Sequence, residues 1–383
     1  MITKKASVSS LTLAGLCSLA CETTFTPPAG SGGGPLDMGG AIMAPQGGAS
    51  GGGGASGGGE VLPNGGASSG AGGSVVSGGG MGGAQMTGMG GGTTMVGGGG
   101  GAALGTGGAP PVETCPATST LKPGTTNGTI QFGGTTRSYI VHVPASYTGS
   151  KPVPLVTDYH GILLTDSFQE AVSGWQAKSD QEGFIVAWPN GIDTAWNVGP
   201  CCTTSRTVDD VGFAKAVVNQ IESQACIDKK RVYATGYSMG GGMSLDLACN
   251  AADVFAAIAP AAFDLMDPSK NDWPCKPSRP ITMVDFRSTG DPVVPYTGGP
   301  TSPPNGLPIV VTFLGAVKTF QQFAQLDQCT GSPTDDSALG AGCQTYKECA
   351  AGVQVTLCTK QGGGHDVGDS AVAWNVLKNY SLP

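Results

Sequence analysis

The stretch ATGYSMGGGM, residues 234–243, decides the fold that the sequence predicts. It contains the pattern G-x-S-x-G at residues 236–240, which a chain with 66 glycines can also produce by chance. The flanking sequence favours a real site, because residues 232–234 predict a strand and residues 240–252 predict a helix. A strand, a sharp turn and a helix form a nucleophile elbow, in which glycines two residues before and after a serine at positive φ avoid collisions. We therefore predict that Ser238 is a nucleophile at the end of a strand.

Alternating strand and helix patterns surround this turn from about residue 115 to residue 383. The predicted strands cover residues 137–144, 154–161, 184–191, 231–238, 255–262, 281–296 and 352–366. The predicted helices cover residues 167–181, 209–227, 240–252 and 370–380. The first strand alternates in polarity as an antiparallel edge strand does, and Asp209 and Asp210 are N-cap candidates for the second helix. This order predicts an α/β domain with a mostly parallel central sheet flanked by helices.

A serine nucleophile needs a base, and the chain offers only three histidines. His142 lies within a predicted strand and His160 ends another. His365 follows Ser238 in the chain, in the loop after the last predicted strand. The order serine, acid, histidine is that of α/β-hydrolases, so His365 is the predicted base.

The acid that orients this histidine is expected between Ser238 and His365. Candidates include Asp264, Asp272, Asp285, Asp291, Asp327, Asp335 and Asp336. Asp291 is favoured because it directly follows a strand, where Gly290 and Pro292 predict a turn at the carboxyl edge of the sheet. The alternative is that Asp291 is an ordinary turn aspartate.

Acyl transfer also requires hydrogen-bond donors for the oxyanion that develops on the substrate. We predict the backbone N–H of Met239, which follows the nucleophile, and the backbone N–H of Ile162, in the loop after YHG. His160 is then expected to brace this loop.

The first residues of the chain predict export. Residues 1–21 combine Lys4 and Lys5 with an apolar run that is too short to span a membrane, as in a secretory signal. The sequence SLAC also resembles a bacterial lipoprotein cleavage site. We therefore expect lipidation of Cys21 and attachment to a bacterial membrane, in preference to plain secretion.

Two further regions follow the signal. Residues 22–112 consist mainly of Gly, Ser, Ala, Met and Thr, with little that could form a core, so they predict a disordered linker. Residues 113–383 contain the strand and helix patterns and form the predicted catalytic domain.

The cysteines and the net charge indicate where the chain folds and which kinds of ligand it can bind. Ten of the twelve cysteines lie from Cys115 onward, and they predict five disulfides formed in an oxidising compartment. The order Cys329, Cys343, Cys349, Cys358 suggests two bridges among the last strands. The sequence lacks the C-x-x-C pairs of zinc sites, and we expect neither a metal nor another cofactor. A net charge of −8 speaks against nucleic acid, and we expect a monomer that binds an ester substrate.

From about Asn127 onward the chain resembles the secreted esterase family that contains feruloyl esterases and polyhydroxybutyrate depolymerases, related to acetylxylan esterases. The matching segments are YHG, WPNGIDTAWNVGPCC, DDVGF, RVYATGYSMGGGM, LACNAADVFAAIAPAA, TGDPVVPY and GGGH. The resemblance implies the α/β-hydrolase fold. It also implies Ser238 as nucleophile, Asp291 as acid and His365 as base.

The resemblance also bears on the surroundings of the site. It implies a disulfide at the rim of the site between Cys249 and either Cys201 or Cys202. The family often has His-Gly-Thr before the acid and Trp-Pro after the histidine, where this chain has residues 287–289 and 367–368. These positions border the substrate cleft in such enzymes, so the departures concern acyl specificity.

The sequence leads to three hypotheses about the function. The favoured one is a feruloyl esterase acting on plant cell-wall polysaccharide. An alternative is a hydrolase of polyhydroxybutyrate or its oligomers, or an acetylxylan esterase, although we expect no polymer-binding module after the catalytic domain. A hypothesis of another class is that the protein is an inactive hydrolase fold, displayed on the cell surface as a binding module. Trp188 and Trp196 are candidates for an aromatic substrate wall, against the alternative that they are buried in the core.

Overall fold

The computed structural model describes residues 115–383, and a ten-stranded sheet forms the centre of this part of the chain. The strands are β1 Gly124–Phe132, β2 Thr135–Val143, β3 Val153–Tyr159, β4 Ile185–Pro189, β5 Ile227–Tyr237, β6 Ala257–Ala261, β7 Thr282–Ser288, β8 Gly299–Thr301, β9 Val311–Phe313, β10 Thr334–Asp335, β11 Cys343–Tyr346 and β12 Val355–Lys360. Strands β8 and β9 form a separate antiparallel pair.

The large sheet has the strand order β1-β2-β4-β3-β5-β6-β7-β12-β11-β10. The six central strands, from β4 to β12, are parallel, and antiparallel strands extend the sheet on both sides. Because β5, β7 and β12 run parallel, their carboxyl ends lie at one edge of the sheet. This is the α/β-hydrolase fold that the sequence predicts.

Helices cover both faces of the sheet. They are α1 Asp166–Ser173, α2 Trp175–Glu182, α3 Asp210–Gln224, α4 Met239–Asn250, α5 Ala316–Leu326 and α6 Ser370–Leu377. Helices α3, α4 and α5 share one core cluster, to which Phe213, Leu245 and Phe320 contribute. Helices α2 and α6 pack in a second cluster around Trp175 and Trp374. The parallel strands are therefore buried between two layers, as a parallel sheet requires.

Several elements differ from the sequence-based prediction. The helix predicted at residues 167–181 is divided into α1 and α2 by Gly174, which has φ 71°. Strand β1 pairs along the whole of β2, so β2 is not the edge strand that its alternation predicted. Strands β8 to β11 and helix α5 were not predicted. Helix α3 begins as predicted, with Asp209 as its N-cap accepting a hydrogen bond from Gly212.

Residues 115–383 contain five disulfides, as predicted. They join Cys115 to Cys226, Cys201 to Cys202, Cys249 to Cys275, Cys329 to Cys349, and Cys343 to Cys358. The last two are the predicted bridges near the final strands. The expected bond between Cys249 and one of the adjacent cysteines is wrong. Cys201 and Cys202 bond to each other, and Cys275, in the loop before β7, is the partner of Cys249.

None of the helices within residues 115–383 is long and apolar enough to cross a membrane. The predicted signal, the lipidation candidate Cys21 and the predicted linker lie outside the described residues.

Candidate active site

Ser238 occupies the turn between β5 and α4, with φ 56° and ψ −124°. The backbone N–H of Ser238 donates to Ala261 O at 2.9 Å, which ties the turn to β6. A side chain on Gly236 or Gly240 would overlap with the backbone around Tyr159 at the end of β3. The sequence therefore folds into a nucleophile elbow because both neighbouring positions are glycine.

His365 lies between Ser238 and Asp291. Its Nε2 is 2.7 Å from Ser238 Oγ, and its Nδ1 is 2.9 and 3.0 Å from the two carboxylate oxygens of Asp291. Nδ1–H donates to the carboxylate, so Nε2 is left as the acceptor for the serine hydroxyl. The side chain of Asp291 is fully buried, and that of His365 is 14% exposed. The structure thus brings together the three residues that the sequence singled out, in a geometry that can move a proton from Ser238 to His365.

The acid is held by its own turn. Asp291 Oδ1 accepts hydrogen bonds from the backbone N–H groups of Val293 and Val294, at 2.8 and 2.9 Å. Three N–H groups therefore converge on this carboxylate when the Nδ1–H of His365 is included. These bonds fix the position of the carboxylate, which orients the imidazole of His365 and stabilises the imidazolium.

The base is held by residues that the sequence analysis missed. Tyr237 Oη donates to the backbone oxygen of His365 at 2.8 Å, and burial raises the pKa of Tyr237 to about 12, so this hydroxyl stays protonated. Asp366 accepts hydrogen bonds from Ser288 Oγ at 2.8 Å and from Gly364 N–H at 3.1 Å. The only sequence signal for Tyr237 was its position inside the elbow motif.

The loop that carries Ile162 is braced by His160, as predicted. His160 Nδ1 donates to Gly161 O at 2.8 Å, and Nε2 accepts the N–H of Gly191 at 2.9 Å. Trp196 Nε1 in turn donates to His160 O at 2.8 Å. Burial lowers the pKa of His160 to about 4, so the ring is neutral near pH 7.

The two predicted oxyanion donors lie in the same cavity wall as the serine. Ile162, Ser238 and Met239 all line one cavity. Neither the N–H of Ile162 nor that of Met239 donates a hydrogen bond within the described part of the chain. Met239 is also the first residue of α4, so its N–H lies at the positive end of the helix dipole. Both groups are thus available to a ligand oxygen.

This cavity is mainly apolar and opens to solvent beside the serine. Besides Ser238, it is lined by the adjacent pair Cys201 and Cys202, by Phe263 and Phe313, and by the segment between β8 and β9.

Trp188 and Trp196 do not line this cavity, so the expected aromatic wall is wrong. Both side chains are fully buried. Trp188 Nε1 donates to Asp158 at 3.0 Å inside the second core cluster, and Trp196 supports the loop of His160. Both tryptophans are therefore core residues, which was the alternative to a substrate wall, and their polar N–H groups find hydrogen-bond partners inside the protein.

Arg287 stands where the family often has the histidine of His-Gly-Thr, and it does not border the cavity. It is buried and forms an ion pair with Asp264, while its Nη2 donates to Val294 O at 2.7 Å. Burial raises the pKa of the neighbouring Asp285 well above its ordinary value. Arg287 therefore supports the turn of the acid. Arg287 lines a different cavity, beside α6, together with Val367 and Gly368 of the second departure.

Fold and site together define an α/β-hydrolase with a serine on its nucleophile elbow. No family model matches the chain. Feruloyl esterase B from Piromyces equi is 44% identical over 251 residues, which cover 64% of this chain and 46% of that protein. The protein named "Putative esterase NocK" from Nocardia uniformis subsp. tsuyamanensis is 30% identical over 269 residues, which cover 67% of this chain and 76% of that protein.

Among solved structures, acetyl xylan esterase from Aspergillus awamori superposes with a TM-score of 0.48 at 17% identity, over 66% of this chain and 99% of that one. The present chain spans just under half the length of the first of these relatives, feruloyl esterase B. The similarity to NocK, over about two thirds of this chain and three quarters of that protein, shows that the chain belongs to a family of esterases.

Proposed function

We propose that the protein is an exported serine esterase that releases ferulate from feruloyl esters of plant cell-wall polysaccharide. The observation that carries the mechanism is the continuous relay from Ser238 through His365 to Asp291. The apolar cavity beside the serine and the name of the relative feruloyl esterase B support the aromatic acyl group.

In the first half of the reaction, Ser238 Oγ attacks the ester carbonyl and its proton passes to His365 Nε2. The carbonyl oxygen becomes an oxyanion, which the N–H groups of Ile162 and Met239 stabilise. Asp291 stabilises the imidazolium. The tetrahedral intermediate then collapses, the bond to the alcohol oxygen breaks, and that oxygen takes the proton from His365.

In the second half, water replaces the alcohol. His365 Nε2 accepts a proton from this water, which attacks the acyl carbonyl of the ester on Ser238. Collapse of the second tetrahedral intermediate breaks the bond to Ser238 Oγ. The serine regains its proton from His365, and the free carboxylic acid leaves.

The test compares hydrolysis of methyl ferulate, a 3-hydroxybutyrate trimer ester and acetylated xylan by the full chain exported to an oxidising compartment. Ser238→Ala and His365→Ala should each lower the rate by a factor on the order of 10⁴ or more. Ser223→Ala, an exposed serine on α3, is the matched control and should keep full activity. Retained hydrolysis in Ser238→Ala contradicts the mechanism.

The substrate is decided by the same assay. Faster release of ferulate supports the proposal, whereas faster cleavage of the trimer assigns the protein to polyester degradation. Faster release of acetate identifies an acetylxylan esterase. A purified, folded wild type that cleaves none of these esters favours the inactive binding module.

We further propose export with a lipid on Cys21, as a monomer. Five disulfides in the described part support folding in an oxidising compartment. Expression in a bacterium with labelled palmitate, followed by membrane fractionation, tests the anchor. Label that is lost in Cys21→Ala supports lipidation, and unlabelled protein in the culture medium supports plain secretion. Size-exclusion chromatography tests the monomer.

A further inference from the structure

The cavity beside Ser238 is placed on the acyl side of the reaction. During hydrolysis the acyl carbon becomes attached to Ser238 Oγ while its oxygen lies between the N–H groups of Ile162 and Met239. The alcohol leaves on the side of His365, which supplies its proton. Among the described residues, the lining of this cavity includes Ile162, Ser238 and Met239 but not His365. An acyl group attached to Ser238 therefore has this cavity beside it.

The adjacent disulfide Cys201–Cys202 forms one wall of the same cavity. Cys201 is fully buried and Cys202 is 7% exposed, so both belong to the interior of the site. Cys201 pairs with Val198 through an isolated antiparallel bridge, and Cys202 has φ 83°. A bond between neighbouring residues closes a small covalent ring, so these two residues present a wall with little freedom to move.

Two aromatic side chains also line the cavity. Phe263 and Phe313 meet edge to face, with ring centroids 4.9 Å apart at an interplanar angle of 81°. An acyl ring that packs against this lining can contact aromatic carbon as well as the sulfur of the disulfide. Sulfur and aromatic rings attract each other, because sulfur is polarisable.

The segment between β8 and β9 is fastened to the disulfide. Asn305 Nδ2 donates to Cys202 O at 2.9 Å, and Asn305 Oδ1 accepts the N–H of Leu307 at 3.3 Å. Pro303 and Pro304 of this segment line the cavity. The position of the two prolines therefore depends on the backbone of Cys202.

From these contacts we propose that the Cys201–Cys202 disulfide is a specificity-determining element that selects an aromatic acyl group. This inference rests on the proposed function, since it concerns the acyl group of the same reaction. The disulfide supplies a flat apolar wall, and Asn305 holds the proline segment against it. A small acyl group such as acetate has no ring that could pack against the wall.

The test compares 4-nitrophenyl ferulate with 4-nitrophenyl acetate, which share a leaving group and differ only in the acyl part. In the full-length protein with Cys201→Ala and Cys202→Ala, kcat/KM for ferulate should fall more than kcat/KM for acetate. The ratio of the two should drop about fivefold, within the range of about two- to tenfold that sulfur–aromatic contacts provide. An unchanged ratio overturns the proposal.

Two further variants complete the test. Cys329→Ala with Cys349→Ala removes a disulfide at the end of α5, outside the cavity, and should leave the ratio unchanged. Asn305→Asp keeps the acceptor for Leu307 and replaces the donor to Cys202, so it should lower the ratio without removing a disulfide. If the double cysteine variant does not fold, the test depends on Asn305→Asp. An unchanged ratio of kcat/KM for ferulate to kcat/KM for acetate in that variant overturns the proposal.

Failure of the proposed function is distinguishable from failure of this inference. A wild type that cleaves neither 4-nitrophenyl ester, or a Ser238→Ala variant that cleaves both, contradicts the serine esterase itself. A Ser238-dependent enzyme whose ratio is unaffected by the cysteine and asparagine substitutions contradicts only the role of the disulfide.

Discussion

Gly240, in the first turn of α4, packs against the main-chain carbonyl of Tyr159, the last residue of β3. A methyl group on Gly240 would overlap with that carbonyl, and backbone cannot swing aside as the end of a side chain can. This contact sets how closely α4 approaches the sheet, and α4 begins directly after Ser238.

Gly240→Ala should therefore disrupt the elbow. We expect a fall in kcat of at least about 100-fold, because displacements near 1 Å at a reacting centre cost rates of that order. Gly242→Ala, two residues along α4, meets the ring of Phe263, which can shift, and should cost less in rate. Ester hydrolysis and thermal unfolding of both variants check the comparison, and equal losses would contradict it.

Tyr237→Phe should lower kcat about tenfold with little change in KM, since its hydroxyl fixes the backbone of His365 and does not face the cavity. Tyr296→Phe is a matched control, because it removes a hydroxyl that hydrogen-bonds Thr359 at 2.8 Å. Steady-state kinetics on one soluble ester are sufficient. If the two variants lose activity equally, Tyr237 has no special role in positioning the base.

Acid should destabilise the protein through His160. Its folded pKa of about 4 lies below the unfolded value of about 6.5, so the unfolded chain binds the extra proton between these values. Above pH 6.5 the neutral ring of His160 makes its full contribution to the unfolding free energy. This contribution is lost as the pH falls toward 4. The loss is at most about 3 kcal/mol, from roughly 1.36 kcal/mol per pKa unit.

Urea unfolding of the wild type and of His160→Gln from pH 7.5 to pH 4 measures this effect. The difference in unfolding free energy between the two proteins should shrink as the pH falls, because only the wild type carries the buried imidazole. A difference that is independent of pH would show that His160 does not titrate as proposed.

The buried pair of Arg287 and Asp264 gives a prediction about coupling. Arg287→Met leaves the Asp264 carboxylate without its counter-ion and should cost about 3–5 kcal/mol of unfolding free energy. Adding Asp264→Leu should recover much of this loss, because both charges are then absent. Denaturant unfolding of the two single variants and the double variant tests the coupling, and additive losses would argue against an ion pair.

The disulfides should contribute unequally to stability. Cys115–Cys226 closes a loop with a sequence separation of 111 residues, whereas Cys343–Cys358 spans 15. Chain-entropy arguments give about 4.7 kcal/mol for a loop of 100 residues and about 3 kcal/mol for one of 15. Replacing each pair by alanines and measuring unfolding should show the larger loss for the first pair. The reverse order would mean that native-state effects dominate.

The sequence predicted the parallel strands and the places of Ser238 and His365 in the fold, because each depends on local pattern or chain order. Strand β1 was missed because its residues, GTTNGTIQF, are mostly polar and exposed. Helix α5 was missed although AVKTFQQFAQL has apolar residues at helical spacing, so that signal was available.

Other features could not be read from the pattern. Nothing local indicates how deeply Trp188 and Trp196 are buried, since tryptophan serves both cores and binding surfaces. The bond between Cys201 and Cys202 accompanies a positive φ at Cys202. The local sequence pattern gives no signal for a positive φ at this residue, because it is not a glycine. The support that Tyr237 gives to His365 joins residues 128 positions apart, and only the folded sheet brings them together.

The proton relay and the cavity beside Ser238 are built largely from different parts of the chain. Ser238, Asp291 and His365 follow the ends of β5, β7 and β12, whereas the disulfide of Cys201 and the β8–β9 connection are loops beyond the sheet. Loop substitutions can therefore accumulate in a descendant enzyme while its sheet ends stay fixed. A change in the preferred acyl group along such a lineage would require substitutions in these loops only. The enzyme would keep its hydrolytic activity throughout.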